Sequence, residues 1–194
     1  VDTVAALQRL RGAPGPRIGL LILTGGQGIA ITDTFARHGL RVPPLSDDSL
    51  AELATFFDPI GGSYRNPLDA AYAPETPAMF ARDLDILERD PNIDAIAVDF
   101  FGTIMSTKRL RSDFGVGLGF RDDLGAAAGT TFLDVLVDRA QHGTKPFFTI
   151  VTGAEKERES LELRDILRDA GVLVFSSAER AARAYRNVVR HAAR

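Results

Sequence analysis

Along the chain, short apolar runs alternate with stretches in which apolar residues recur every three or four positions. The runs read as buried strands over residues 17–24, 40–42, 93–100, 146–151 and 172–175. Between them, the helical period predicts helices over 28–38, 47–56, 76–89, 130–141, 155–170 and 178–191. Gly39 and Gly171 supply stop signals, and Ser176 with Glu179 reads as a capping box. Strands that are apolar throughout and separated by helices call for a parallel sheet covered on both faces. The pattern therefore predicts an α/β domain, flavodoxin-like or Rossmann-like. Two stretches lack a clear period, 59–74 and 101–129, and the second is long for a strand-to-helix connection. Long loops at strand ends are where α/β proteins keep their sites.

The start, VDTVAALQRLRG, carries a short helical stripe (Val4, Leu7 and Leu10, or Ala6 and Leu10), and the breakers GAPGP follow at once. It reads as the tail of an upstream element plus a linker, residues 1–16, on a chain that continues before residue 1. That leaves 17–194 as one domain with a long loop at about 106–128. Its size and 45% hydrophobic content suit a single core. The net charge of −3 is dispersed, and no basic cluster is dense enough to track a phosphate backbone, so nucleic acid is not expected as a partner. The chain has no cysteine, which excludes disulfides, thiolate metal sites and cysteine nucleophiles and is compatible with a reducing cytoplasm. Its apolar runs fall far short of the roughly 20 residues that cross a bilayer, and the start lacks a signal-peptide pattern. A cytoplasmic protein without a membrane partner is expected.

The chemistry concentrates in LTGGQGIAITD, where a strand ends at Thr24 and Gly25, Gly26, Gln27 and Gly28 lead into a helix. Main-chain N–H groups at a helix N-terminus attract anions. No Lys-Ser/Thr pair follows, as a phosphate-loop NTPase requires, and Ile31 stands where a dinucleotide fingerprint needs its third glycine. Two readings remain: a small anion held by main-chain donors, or a turn that only lets the chain reverse closely over the sheet.

Two further stretches stand out. In YRNPLD, proline holds Asn66 extended and Asp69 can accept backbone hydrogen bonds, either as a structural Asx turn or as support for a site. In VDFFGTIM, Asp99 resembles the phosphorylated aspartate of response-regulator receivers, with Lys145-Pro146 as apparent support. That likeness fails, because a receiver needs an acidic pair after strand one and its Lys-Pro follows a strand. His38, His142 and His191 lack metal-ligand spacing, and no G-x-S-x-G elbow is present. No catalytic nucleophile and no metal site is expected.

The pieces LTGGQGIAITD, GLRVPPLS, RNPLDA, LERDPNIDAIAVDFFGTIM, KPFFTIV and GVLVFSSAERAARA, in this order, resemble the second ligase-CoA domain of the NDP-forming acyl-CoA synthetases. The likeness is to the C-terminal domain of the succinyl-CoA synthetase β subunit and the corresponding domain of ADP-forming acetyl-CoA synthetases, and it runs from Arg17 to Val189. It implies a flavodoxin-like, three-layer fold with a mainly parallel sheet. It also implies a reaction in which acyl-CoA and phosphate give an acyl phosphate, a histidine is phosphorylated, and ADP or GDP takes the phosphoryl group. Gly25, Gly26, Gln27 and Gly28 would then hold the phosphoryl group, and Thr24, Thr103, Ile104 and Met105 would contact substrate. Asn66 and Asp69 would support the loop.

Where the family has asparagine before the glycines this chain has Leu23-Thr24, and Thr103 replaces a frequent second glycine. Residues 106–128 exceed the usual turn by roughly 20, as a gating loop or an interface segment. The resemblance assigns CoA, ATP or ADP with Mg, and the phosphohistidine to other domains or subunits. No cofactor is expected within this segment, and the isolated piece should not turn over. The alternative is a non-catalytic small-anion-binding or protein-interaction domain that kept the fold.

Overall fold

The computed structural model describes residues 1–22, 25–56, 63–69, 77–101, 132–152 and 157–194. Five parallel strands form one sheet: β1 (Ile18–Ile22), β2 (Leu68–Asp69), β3 (Ala95–Phe101), β4 (Phe147–Thr152) and β5 (Val174–Phe175), in the order β2-β1-β3-β4-β5. This is the flavodoxin-like strand order. Among the described residues the helices are α1 (Asp2–Arg9), α2 (Gly25–Arg37), α3 (Asp47–Leu53), α4 (Pro77–Arg89), α5 (Phe132–His142), α6 (Glu157–Asp169) and α7 (Ala178–Ala192).

Alternate strand residues feed two cores, which is why the strands read as unbroken apolar runs. On one face Leu21, Ile96, Val98 and Val151 pack under α3, α4, α5 and α6 through Leu53, Leu84, Leu136 and Leu167. On the other face Ile18, Leu20, Ala97, Phe148 and Ile150 pack under α1, α2 and α7 through Ala6, Phe35, Ala181 and Tyr185. Phe148 centres that second core, with ring centroids 5.2 Å from Tyr185, 5.8 Å from Phe175 and 6.4 Å from Phe35. Tyr185 is fully buried, yet its hydroxyl donates to the Gly15 carbonyl at 3.1 Å, so no polar tip is stranded. α1 docks on α7, with Asp2 paired to Arg180 at 2.6 Å.

Four local expectations are corrected. Residues 40–42 form no strand: Arg41 makes only an isolated bridge to Arg17, and the sheet edge is taken by β2, inside a stretch expected to be irregular. α2 opens at Gly25 rather than Gly28, because glycine weakens a helix by only about 1 kcal/mol per residue and does not bar the chain from starting one. α3 ends at Leu53, not Phe56. The cap of α7 is Ser177, one residue after the expected Ser176: its extended backbone lets the hydroxyl accept from the Arg180 N–H. Glu179 is thereby left to pair with His38 at 2.8 Å.

Candidate functional site

The strand order reverses between β1 and β3. β2 lies on one side of β1 and the remaining strands lie on the other. In open parallel sheets, ligands bind in the crevice outside the carboxyl ends of the strands at such a switch point. α2 opens just after the carboxyl end of β1, so its first turn stands at this crevice. With the helix starting at Gly25, the N–H groups of Gly25, Gly26 and Gln27 have no i→i−4 acceptor within it. The Gly28 N–H likewise has none, and the first such pair inside the helix is Ile29 to Gly25.

The two inner glycines serve different ends. A Cβ on Gly28 would lie 2.2 Å from Ile22 Cδ1 and 3.7 Å from Pro67, so the absence of a side chain is what lets α2 approach β1 closely. A Cβ on Gly26 would meet none of the described residues within 4 Å. Packing among the described residues therefore accounts for Gly28 and not for Gly26, which is exposed at the mouth of the helix. Ile29, one residue past the glycines, is 70% exposed.

Asn66 works on the other side of β1. Its Oδ1 accepts the Leu20 N–H at 2.9 Å, and its Nδ2 donates to the Ile18 and Pro43 carbonyls at 2.8 Å each. The side chain thus continues the β1 ladder beyond β2, which pairs only Leu21 and Ile22. The Asn66-Pro67 peptide is cis. Asp69 pairs with Ile22 in the sheet and exchanges main-chain hydrogen bonds with Ser63. Thr24, Thr103, Ile104, Met105 and the loop at 106–128 lie outside the described residues.

One residue to which the sequence reading gave no role stands out here. Asp99 sits level with Ile22 on one neighbouring strand and Ile150 on the other, near the carboxyl end of β3. It is 1% exposed, and among the described residues neither carboxyl oxygen has a hydrogen-bond partner. Burial pushes its carboxyl up to about 7. It lines a cleft of about 180 Å³ together with Gln27, Ile31 and Thr34 of α2, Thr152 at the end of β4, and Ala178 in the first turn of α7. The Gln27 Oε1 is also buried without a partner. The sequence did carry one signal, an acidic residue in an otherwise apolar strand, but nothing local says what faces it.

Lys145 is not part of this site. At the amino end of β4 its Nζ donates to the Leu87 and Asp90 carbonyls at 3.1 and 2.6 Å, closing the C-terminus of α4, so the receiver-like Asp–Lys pairing does not exist. The histidines are occupied elsewhere or exposed: His142 bonds Asp138 at 2.8 Å, and His191 lies on the surface near the end of α7. Among the described residues there is no group of three or more histidines, aspartates or glutamates that could hold a metal ion. No helix among them is long and apolar enough to cross a membrane.

No family model matches the sequence. Over 99 residues, 50% of the chain, it is 26% identical to the α subunit of ADP-forming acetate–CoA ligase II of Pyrococcus furiosus. The chain covers 21% of that subunit, about a fifth of its length. In fold it matches a solved protein of Pyrococcus horikoshii OT3 with a TM-score of 0.69 at 20% identity, over 100% of this chain and 40% of that one. It also matches the dinucleotide-forming acetyl-coenzyme A synthetase 1 of Ca. Korarchaeum cryptofilum. The TM-score is 0.63 for the apo form, at 22% identity over 98% of this chain and 37% of that one. For the complex with phosphate and ADP it is 0.64, at 21% identity over 98% and 36%. In sequence over half of its length, and in fold over nearly all of it, the chain resembles parts of ADP-forming acetyl-CoA synthetases.

Proposed function

We propose that this chain is a domain of an NDP-forming acyl-CoA synthetase, an acid–thiol ligase, and that the mouth of α2 holds the phosphoryl group in transit. Gly25, Gly26 and Gln27 supply main-chain donors, the helix dipole adds about half a positive charge, and Gly28 sets the helix close enough to β1 to aim them. The group arrives on a histidine of another domain. CoA, and ATP or ADP with Mg, bind to other domains or subunits, which close over the mouth. The substrate, a small carboxylic acid, is contacted by Thr24, Thr103, Ile104 and Met105. The isolated chain binds phosphate and does not turn over.

The observation that carries this reading is the empty surround of Gly26 at a helix opening on the switch-point crevice. A glycine kept for packing has neighbours; this one has none among the described residues. Exposed Ile29 beside it fits a surface that another domain covers.

Gly26→Asp separates function from structure. Aspartate in a first helical turn is stabilising by a few tenths to about 1 kcal/mol, and its side chain enters unoccupied space. The variant should melt no lower than the parent and lose affinity for inorganic phosphate, measured by calorimetry at millimolar ligand. If the parent binds neither phosphate nor acetyl phosphate, the reading falls and the chain is an interaction domain on the same fold.

A further inference from the structure

The cleft between α2 and α7 holds an unresolved polar imbalance. Asp99 and Gln27 line it, and among the described residues three of their buried side-chain oxygens have no donor to meet them. A buried acceptor without a partner costs roughly 1–3 kcal/mol, and a native structure rarely leaves several together unless something else supplies the donor. At the same time Gln27 belongs to the first turn of α2 and Ala178 to the first turn of α7, so the positive ends of two helices, of 13 and 15 residues, border the same space. Helix N-termini call for an anion; an unpaired carboxyl refuses one. Once Asp99 has released its proton, above about pH 7, a ligand that satisfies both is an anion that carries its own.

We infer that this cleft receives inorganic phosphate in a protonated form, with Asp99 accepting a hydrogen bond from a P–OH group while the helix N-termini face the unprotonated oxygens. This rests on the reading of α2 as a phosphate-binding helix and adds to it a side chain that chooses among oxyanions. In that pH range phosphate keeps a proton on one oxygen, whereas sulfate keeps none. Sulfate has the same size and shape, but it turns lone pairs toward the lone pairs of Asp99 with nothing between them. A cleft of about 180 Å³ admits either ion on volume alone, so the choice is made by hydrogen-bond polarity. Burial of Asp99 raises its own affinity for a proton, which suits a carboxyl that shares one with its ligand.

The test is calorimetry of the chain with inorganic phosphate and, separately, with sulfate at matched ionic strength and about pH 8.5, where Asp99 is ionised, on the parent and on Asp99→Asn. Phosphate should bind the parent about tenfold or more tightly than sulfate, as expected from one charge-assisted hydrogen bond gained or lost. Asparagine can turn its amide donor to any oxyanion, so the variant should bind sulfate more tightly and bring the two affinities within about twofold. Equal binding of both ions by the parent overturns the inference while leaving the α2 reading intact, and so does an unchanged ratio in the variant. Failure of the parent to bind either ion removes both. The ratio measured on the parent needs no folded variant.

Discussion

Asn66 stands beside Leu20 as though it were another strand. Its Oδ1 takes the Leu20 N–H at 2.9 Å while its Nδ2 reaches the Ile18 carbonyl at 2.8 Å. β2 contributes only two paired residues, so this side chain, not the backbone, completes that edge of β1. Asn66→Ala leaves a buried N–H and two carbonyls without this partner, and should cost roughly 3 kcal/mol by urea unfolding. Asn66→Asp keeps the acceptor and turns lone pairs toward both carbonyls, so it should be no better tolerated than alanine. A loss under 1 kcal/mol in both would show that water replaces the amide.

Gly28 and Ile22 form a packing pair that can be inverted. Gly28→Ala drives a methyl into Ile22 Cδ1, at 2.2 Å before relaxation, and should destabilise by about 1–3 kcal/mol even though alanine is the better helix former. Ile22→Val removes that Cδ1 and alone costs about 1 kcal/mol. The double variant should be more stable than the sum of the two singles predicts, and a double-mutant cycle reads the coupling directly. Additive losses would mean that the methyl meets something other than Ile22.

Two buried aspartates tie stability to pH. In the unfolded chain an aspartate releases its proton near 3.8, whereas burial holds the carboxyls of Asp83 and Asp99 up to about 7 in the fold. Between those values the native state binds more protons than the unfolded state, so stability falls as pH rises through the window and levels off above it. Asp83 is 1% exposed and its Oδ1 has no partner. Asp83→Asn should therefore stabilise on the order of 2 kcal/mol at pH 8 and have little effect near pH 4. Denaturant midpoints of parent and variant at the two pH values would check this; a variant no better at pH 8 would mean that Asp83 is charged and solvated.

Arg17 and Asp94 behave in the opposite sense. Burial pushes the Asp94 carboxyl up, but hydrogen bonds from the Arg17 side chain and main chain, reinforced by its charge, outweigh it and hold the group below the ordinary carboxylate range. This clasp, 2.6 Å at its shortest, joins the start of β1 to the residue before β3. Its contribution is present above about pH 4 and is lost as pH falls through the lowered value. Asp94→Asn should lower the melting temperature at pH 7 and close on the parent below pH 3. A constant difference across that range would assign the loss to geometry alone.

The apolar runs that became β1, β3 and β4 were legible as strands because their described residues feed a core on each face and need no alternation. β2 was not: two residues, paired only with Leu21 and Ile22, leave no hydrophobic period to read. Residues 40–42 misled for the converse reason, since Leu40 is buried by the end of α2 and not by strand pairing. Gly39 and Gly171, at φ of 74° and 87°, announced helix ends because only glycine takes that backbone conformation freely.

By itself the sequence determined the layer order, the parallel sheet and the glycine-opened helix at the end of the first strand, because periodicity and punctuation act over a few neighbouring residues. What Gly26 and Gly28 are each for, which serine caps α7, and the meeting of Asp99 with Gln27 under two helix N-termini were decided by the tertiary structure alone. These are contacts between residues some 70 to 150 positions apart in some cases, and whether a polar atom is satisfied depends on everything that surrounds it, which no local pattern encodes.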